Sequence, residues 1–258
     1  MVESDEKPVA WRSVSQVNQY RRCPYQYYLQ RIEKVWQKPA AWLPQGTAVH
    51  ASVESYEKSD RTMTLDEAQA VYLDSYVSEC NAYLEKVSLV GWFWSGPYSP
   101  DEDIPRRRDL GLAQIERYLD FAADNPAPDT LDGVKAVEIP FEIQLGDVPA
   151  RGFIDQVVKR KPIDVKSGNK PGDEFQLATY AGALEQMYDI KPTQGYYWMG
   201  RAGALTTPFD LRDWTQQRLT DEFGEVNEAI ESESFDPDPE QSKCRFCDVR
   251  MSCEFSAV

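Results

Sequence analysis

The chain has 258 residues, 41% of them hydrophobic, and a formal net charge of −15. This length can bury a sizeable core, and no apolar run approaches the roughly 20 residues that a membrane-spanning helix needs. The N-terminus, Met1 to Lys7, is polar and acidic, unlike a secretory signal. We therefore expect a globular cytoplasmic protein with no membrane partner.

The first half of the chain is helical by pattern. A capping box formed by Ser13 and Gln16 predicts a short helix, which Pro24 interrupts and restarts. Longer helices are predicted at 46–59, 64–87 and 103–124. The intervening segment 91–100 is a loop rich in aromatic residues, and it indicates either a lid or DNA wedge or ordinary packing.

Strand patterns dominate the second half. Strands are predicted at 134–144, 150–159, 162–166, 194–199 and 203–208. Helices are predicted at 173–188 and 211–231, the second of them acidic. The order of helix, three-stranded meander, helix and strand indicates an α/β fold. The proline-rich segment 236–239 then leads to a cysteine-rich C-terminus.

Two acidic residues follow each other on the predicted meander. Asp155 ends Gly152-Phe153-Ile154-Asp155, and nine residues later Asp164 opens Asp164-Val165-Lys166. Because side chains alternate along a strand, Asp164 and Lys166 should share a face. Paired carboxylates can hold a divalent metal, and a nearby ammonium offsets the charge that develops on a phosphate. The triplet alone is a weak signal, because it also occurs by chance in exposed strands.

Two helices offer further polar groups at a spacing of one turn. His50, the one histidine, lies four residues before Glu54 in the first of the longer helices, where it is either a metal ligand or an ordinary packed histidine. Gln176 and Tyr180 are also four apart, and they can contact a phosphate or the lysine. Ordinary amphipathic packing explains that second pair equally well.

Four of the five cysteines are grouped by sequence at the two ends of the chain. Cys244, Cys247 and Cys253 lie within ten residues, and Cys23 lies near the N-terminus, whereas Cys80 lies in a helix and reads as a core thiol. In a reducing compartment such groups bind metal more often than they form disulfides. Four thiolates hold either zinc or a four-iron cluster, and the irregular one-plus-three spacing favours the iron–sulfur cluster.

Taken together, these motifs resemble the iron–sulfur RecB-like nucleases of the PD-(D/E)XK superfamily. The likeness extends to CRISPR-associated RecB-like exonucleases and related stand-alone phage and bacterial nucleases. It spans roughly residues 13 to 255 and rests on the order of the motifs. They are Cys23, His50, Asp155, Asp164-x-Lys166, Gln176-x3-Tyr180 and Cys244-x2-Cys247-x5-Cys253.

The resemblance implies a role for each matching position. The implied ligands of magnesium or manganese are His50, Asp155, Asp164 and the backbone carbonyl of Val165. Lys166 is the implied catalytic lysine, steadied by Gln176 and Tyr180. The implied ligands of one 4Fe-4S cluster are Cys23, Cys244, Cys247 and Cys253.

The implied fold is a restriction-endonuclease-like α/β core with an N-terminal helical elaboration and a C-terminal iron–sulfur segment. We expect a flexible N-terminus at 1–12 and a single nuclease domain at 13–258. Within that domain we expect a mainly helical part, a catalytic core, and an acidic helix with the cysteine segment. Their predicted bounds are 13–130, 131–210 and 211–258.

The implied activity is a metal-dependent DNA exonuclease, working from the five-prime to the three-prime end and favouring single strands, in recombination, repair or spacer processing. Two alternatives stay open: an endonuclease or flap-type nuclease of the same fold, and a non-catalytic scaffold that binds DNA ends. The expected partners are DNA with free ends and a helicase, a recombinase or CRISPR adaptation proteins. The chain has no Walker phosphate loop, so any unwinding motor is a separate protein.

The charge is unevenly distributed. Residues 12–38 carry six Lys/Arg against one acid and residues 151–170 six against two, whereas residues 210–240 carry two against eleven. A basic groove beside the site is therefore compatible with the overall acidity. Aromatic residues interleave the first basic stretch, either as a surface for stacking bases or as core. They are Tyr20, Tyr25, Tyr27, Tyr28 and Trp36.

Overall fold

The structure is a computed structural model that describes residues 10–258. Most of the N-terminus that we expected to be flexible, residues 1–9, lies outside this range. The remaining part contacts the sheet, since the Arg12 amide donates to the Pro149 carbonyl and the Arg151 amide donates to the Arg12 carbonyl, each over 2.9 Å. The Arg12 guanidinium is buried and donates to the Asn227 side chain.

The helical half follows the predicted order with shifted boundaries. Its helices are α1 (Val14–Arg22), α2 (Pro24–Tyr27), α3 (Trp42–Lys58), α4 (Leu65–Leu84) and α5 (Pro100–Asp124). The capping box of Ser13 and Gln16 is confirmed, and Pro24 opens α2, which continues into a π-helical turn at Tyr28–Ile32. Helix α3 begins four residues earlier than predicted. Pro44 causes no break there, because the first turn of a helix leaves its amides unpaired in any case.

The second half builds the sheet. Its strands are β1 (Thr130–Leu131), β2 (Val134–Lys135), β3 (Val137–Leu145), β4 (Val148–Val158), β5 (Lys161–Lys166), β6 (Gln194–Met199), β7 (Ala204–Leu205) and β8 (Phe209–Asp210). β1 and β2 form a separate short ribbon, so the strand expected at 134–144 is in fact two. The main order is β3-β4-β5-β6-β7, antiparallel except for the parallel pair β5 and β6, and β8 pairs with β6. Helix α6 (Glu174–Tyr188) makes the crossover that a parallel pair requires.

Helices cover both faces of the sheet. α1, α6 and α7 (Gln216–Glu231) pack on one face around Ile154 and Tyr197, and α3, α4 and α5 pack on the other around Val165 and Trp198. Helix α7 begins five residues later than predicted, because the Thr215 side chain caps it. Within residues 10–258, every helix is too short or too polar to cross a membrane.

The C-terminal segment packs on the segment around α2, beside this core. The short α8 (Gln241–Cys244) and a 3-10 turn (Arg250–Ser252) pack on the N-terminal segment, where Leu29, Cys247 and Val249 form a small buried cluster. Tyr20 and Tyr27 are buried in the main core, so a base-stacking role for these two is wrong. Trp36 remains 44% exposed.

Candidate active site

The site lies where two neighbouring strands separate. The ladder between β4 and β5 ends at the pair Gln156 and Ile163. Asp155 and Asp164 are the next residues beyond that fork, and both are buried. The Asp155 Oδ2 atom accepts the Val165 amide over 2.7 Å, replacing a ladder bond that the fork removes. The predicted metal role of the Val165 carbonyl stays a prediction.

Glu138 of β3 completes the carboxylate group, and the sequence interpretation missed it. The pairs Val137 with Gln156 and Ile139 with Ile154 place Glu138 across from Asp155. Its backbone is left-handed, with φ of 49°, which costs a non-glycine residue about 1–2 kcal/mol. Strained backbone conformations of this kind cluster at functional sites.

The irregularity is matched on both strands. Each strand region has two residues that face the same core cluster although they are three positions apart. These pairs are Ala136 with Ile139, around the start of β3, and Ile154 with Val157, in β4. Regular alternation would put residues three apart on opposite faces. The slip leaves Glu138 and Asp155 together between the two helical layers. A single sequence does not encode such a slip. The one weak signal for Glu138 is that it is an acidic residue in a predicted strand of the core.

His50 reaches the same point from α3. Its Nδ1 atom lies 3.5 Å from Glu138 Oε1 and 3.4 Å from Asp155 Oδ2. One ligand atom from each of these three residues lies within 4.8 Å of the others. Glu54, four residues further along α3, instead pairs with Lys58 over 2.5 Å.

Asp164 and Lys166 face α6, as strand alternation predicts. The Lys166 Nζ atom lies 2.7 Å from Asp164 Oδ2 and donates to Gln176 Oε1 over 3.0 Å. Gln176 Nε2 donates to Asp164 Oδ1 over 2.6 Å, and the Tyr180 hydroxyl donates to the same atom over 3.2 Å. Gln176 and Tyr180 therefore fix the positions of the carboxylate and the ammonium.

The carboxylates of the site lie close together and are largely buried, and this shifts the pKa of Asp155 and of His50. Burial and the neighbouring charge of Asp164 raise the pKa of Asp155. Burial lowers the pKa of His50, but the charges of Asp155, Asp164 and Glu138 outweigh it and raise that pKa to about 9. Burial is the larger cause for Asp155, but both shifts also reflect a surplus of negative charge that a cation would balance.

The donor set fits a hard divalent cation. Asp164 Oδ2 is buried and makes no hydrogen bond of acceptable geometry, although the Lys166 ammonium lies beside it. Together with His50, Glu138 and Asp155 it offers three carboxylates and one imidazole, a set suited to magnesium or manganese. A metal there would activate water and polarise a phosphodiester, next to an ammonium that stabilises developing negative charge.

The four predicted cluster cysteines come together outside the carboxylate site. Cys23, Cys244, Cys247 and Cys253 line one pocket, together with Gln26 and Asp238 among others. Cys80 lies outside this pocket, buried in the core cluster formed by α3, α4 and α5, as expected for a core thiol.

Known proteins resemble this chain over most of its length. Residues 12–254 match the PD-(D/E)XK nuclease superfamily. The gene 69 proteins of Mycobacterium phages D29 and L5 are 45% and 42% identical; each alignment covers 94% of this chain, and 96% and 95% of the phage proteins. A Eubacterium rectale structure provisionally named an exonuclease aligns over 97% of this chain and 90% of its own, with a TM-score of 0.47 and 14% identity. The chain belongs to the PD-(D/E)XK nuclease superfamily.

Proposed function

We propose that the protein is a divalent-metal-dependent DNA exonuclease that degrades single strands from the five-prime end. The observation that carries the nuclease chemistry is the convergence of Glu138, Asp155 and Asp164 with His50 and the Lys166 ammonium. Superfamily membership supports a metal-dependent nuclease, with DNA as its substrate. The exonuclease mode and the polarity rest on the resemblance of the motif set described above.

The proposed roles divide between metal binding and orientation of the attacking water. His50, Glu138, Asp155 and Asp164 would hold magnesium or manganese, which supplies an activated water and charge neutralisation. The Lys166 ammonium, held by Gln176 Oε1, orients the attacking water and faces the charge that develops on the phosphate.

Exposed side chains beside the site support the preference for single strands. Phe153 is 58% exposed and lies two residues before Asp155, about 7 Å along the same strand. The Arg151 guanidinium, two residues further back, lies 5.8 Å from the ring centroid of Trp11. Unpaired bases stack on exposed rings, whereas the bases of a duplex are already stacked on each other.

We further propose that the four cysteines hold a 4Fe-4S cluster. The supporting observation is that all four cysteines line one pocket, and the irregular spacing of Cys244, Cys247 and Cys253 favours the cluster over zinc. Bound there, the cluster would join the two chain ends and stabilise the fold.

The cluster proposal is tested by iron and sulfide analysis of anaerobically purified protein. Cys247→Ser should be colourless, low in iron and less stable, whereas Cys80→Ser, a core thiol outside the pocket, should keep the colour. A colourless wild type that retains zinc would contradict the proposal.

The exonuclease proposal is tested with end-labelled linear DNA, single- and double-stranded, beside a circular single strand that has no ends. Wild-type protein with magnesium or manganese should shorten the linear single strand stepwise and leave the circle intact. Lys166→Ala should lose about 100- to 1,000-fold in rate, whereas Lys170→Ala, an exposed lysine outside the site, should not. Cleavage of the circle would indicate an endonuclease, and binding without cleavage would favour the scaffold.

The biological setting is part of the same proposal. Both curated relatives are mycobacteriophage proteins, which supports a role in phage DNA metabolism more than in spacer processing. A helicase or recombinase that exposes single strands is the partner class that such an enzyme needs.

A further inference from the structure

A second concave site lies between the cysteine segment and the N-terminal end of α3. Its volume is about 230 Å³, and it is lined by three cations and three aromatic rings. They are Lys38, Arg245, Arg250, Phe93, Trp94 and Phe246. We refer to it as the basic pocket.

The aromatic rings hold the cations in place. Trp42, Phe93 and Phe246 pack against one another with centroids 5.9 to 6.3 Å apart. The Lys38 ammonium lies 5.0 Å from the Phe93 centroid, and the Arg245 guanidinium lies 5.5 Å from that of Phe246. Such cation–π contacts orient a positive charge without neutralising it.

The charge of the basic pocket is uncompensated. No carboxylate lines it, and within residues 10–258 none of its three cations forms an ion pair. The side chains of Lys38 and Arg245 also make no hydrogen bond in that part of the chain. In a chain with a net charge of −15, three grouped cations without acidic partners point to an anionic ligand.

The exposed ring adds a second kind of contact. Trp94 is 59% exposed although its neighbours Trp92 and Phe93 are buried. A volume of about 230 Å³ is below the 300–1,000 Å³ of sites that enclose a small molecule, so the pocket suits part of a polymer lying across it. Repeating phosphates with bases that can stack on a ring describe single-stranded nucleic acid.

The pocket also lies near the metal site along α3, because Trp42 of that helix packs on its Phe93 and Phe246 rings. Trp42 and His50 are eight residues apart on that helix, which corresponds to about 12 Å of rise and a net rotation of about 80°. Between them, a Cβ atom on Gly46 would lie 3.5 Å from Ser167 Oγ, next to Lys166. A strand about four nucleotides long, at about 3.4 Å each, covers that rise along the helix.

We propose that the basic pocket binds the single strand of DNA whose scissile phosphate lies at the metal site. This inference rests on the proposed nuclease function and adds where the substrate strand is held. Three residues of the pocket, Arg245, Phe246 and Arg250, lie between Cys244, Cys247 and Cys253 in the sequence. The group that these cysteines bind would therefore also hold the pocket residues in position.

The binding test uses a fluorescent oligothymidylate and fluorescence anisotropy without divalent metal, so that no cleavage occurs. Trp94→Ala should weaken binding about 5- to 100-fold, and Trp94→Phe should restore it. Lys38→Ala with Arg245→Ala should lower the slope of log K against log salt by about 0.7 for each lost phosphate contact. The control is Arg212→Ala, whose guanidinium already pairs with Asp210 on the surface.

A second measurement separates this inference from the nuclease proposal. Hydrolysis of bis(p-nitrophenyl) phosphate with manganese needs only the metal site, so the pocket variants should match wild type there. Unchanged oligothymidylate binding in those variants, or an equal loss for blunt duplex DNA, would overturn the pocket inference and leave the nuclease proposal standing. The opposite outcome is a protein that hydrolyses neither DNA nor bis(p-nitrophenyl) phosphate, with pocket variants that bind the strand more weakly. That outcome would support the pocket inference and overturn the nuclease proposal.

Discussion

Replacing Glu138 by Gln tests whether this residue belongs to the metal shell. Without metal, Glu138 is attracted to protonated His50 at 3.5 Å and repelled by Asp155 within 4.8 Å. At an effective dielectric constant of about 20, a full charge on each group would give about 5 and at least about 3.5 kcal/mol. Solvent screening at the partly exposed His50 reduces the first value, and the raised pKa of Asp155 reduces the second. The two nearly cancel, so the metal-free protein should change in stability by only about 1 kcal/mol.

With metal present the same substitution should have a large effect. Loss of a group that supports a metal site weakens metal binding by about 10- to 100-fold, and loss of a direct ligand by at least that much. At a fixed excess of manganese this removes about 1.4 to 2.8 kcal/mol of metal-linked stability. For a chain of this size the manganese-induced rise in Tm should be smaller by about 3 to 10 °C.

Scanning calorimetry with and without manganese measures both effects, and titration calorimetry gives the Kd directly. The matched control is Glu142→Gln, on the same strand but exposed and outside the cluster. Equal manganese affinity in Glu138→Gln and wild type would refute the assignment of Glu138 to the metal shell. A large loss of stability without metal would show instead that Glu138 mainly holds His50 in place.

Three substitutions away from the site test the packing. Arg61→Ala should cost about 3–5 kcal/mol in chemical denaturation, because it leaves the fully buried Glu57 carboxylate without its cation; an unchanged midpoint would contradict this. Gly111→Ala should destabilise the protein by about 1–3 kcal/mol, since the new Cβ would lie 2.0 Å from the buried ring of Tyr72. Gly224→Ala, also inside a helix but with open space around it, should stabilise by about 1 kcal/mol, and a loss in its Tm would show that α7 packs differently.

Much of the site could be predicted because its spacings are local. Asp164 and Lys166 share a strand face, and Gln176 and Tyr180 share a helix face, so backbone geometry alone brings each pair together. Hydrogen bonds from Gln176 and Tyr180 to one oxygen of Asp164 then join the two pairs. That link depends on the crossover through α6, which the predicted order of elements already contained.

Glu138 could not be predicted in this way because two non-local features place it. One is the left-handed backbone at a residue that is not glycine, and the other is the register that sets it opposite Asp155. Single-sequence patterns assume regular alternation, and the matched slip in β3 and β4 breaks that assumption. The aromatic residues of the N-terminal segment show the same limit, since burial separates Tyr20 and Tyr27 from the exposed Trp36 although all three lie among basic residues.

The acidity of the chain now has a structural interpretation. The most acidic stretch, residues 210–240, contains α7, which packs on the face of the sheet opposite α3. Repulsion from charges beyond about 8 Å is largely screened at physiological salt, so this face does not oppose DNA held beside α3. It does oppose a duplex that wraps the protein, because wrapping would bring phosphates near both faces. Under the single-strand proposal, a strongly acidic protein with three grouped cations that lack carboxylate partners beside α3 is therefore better suited to guiding one strand than to binding a duplex.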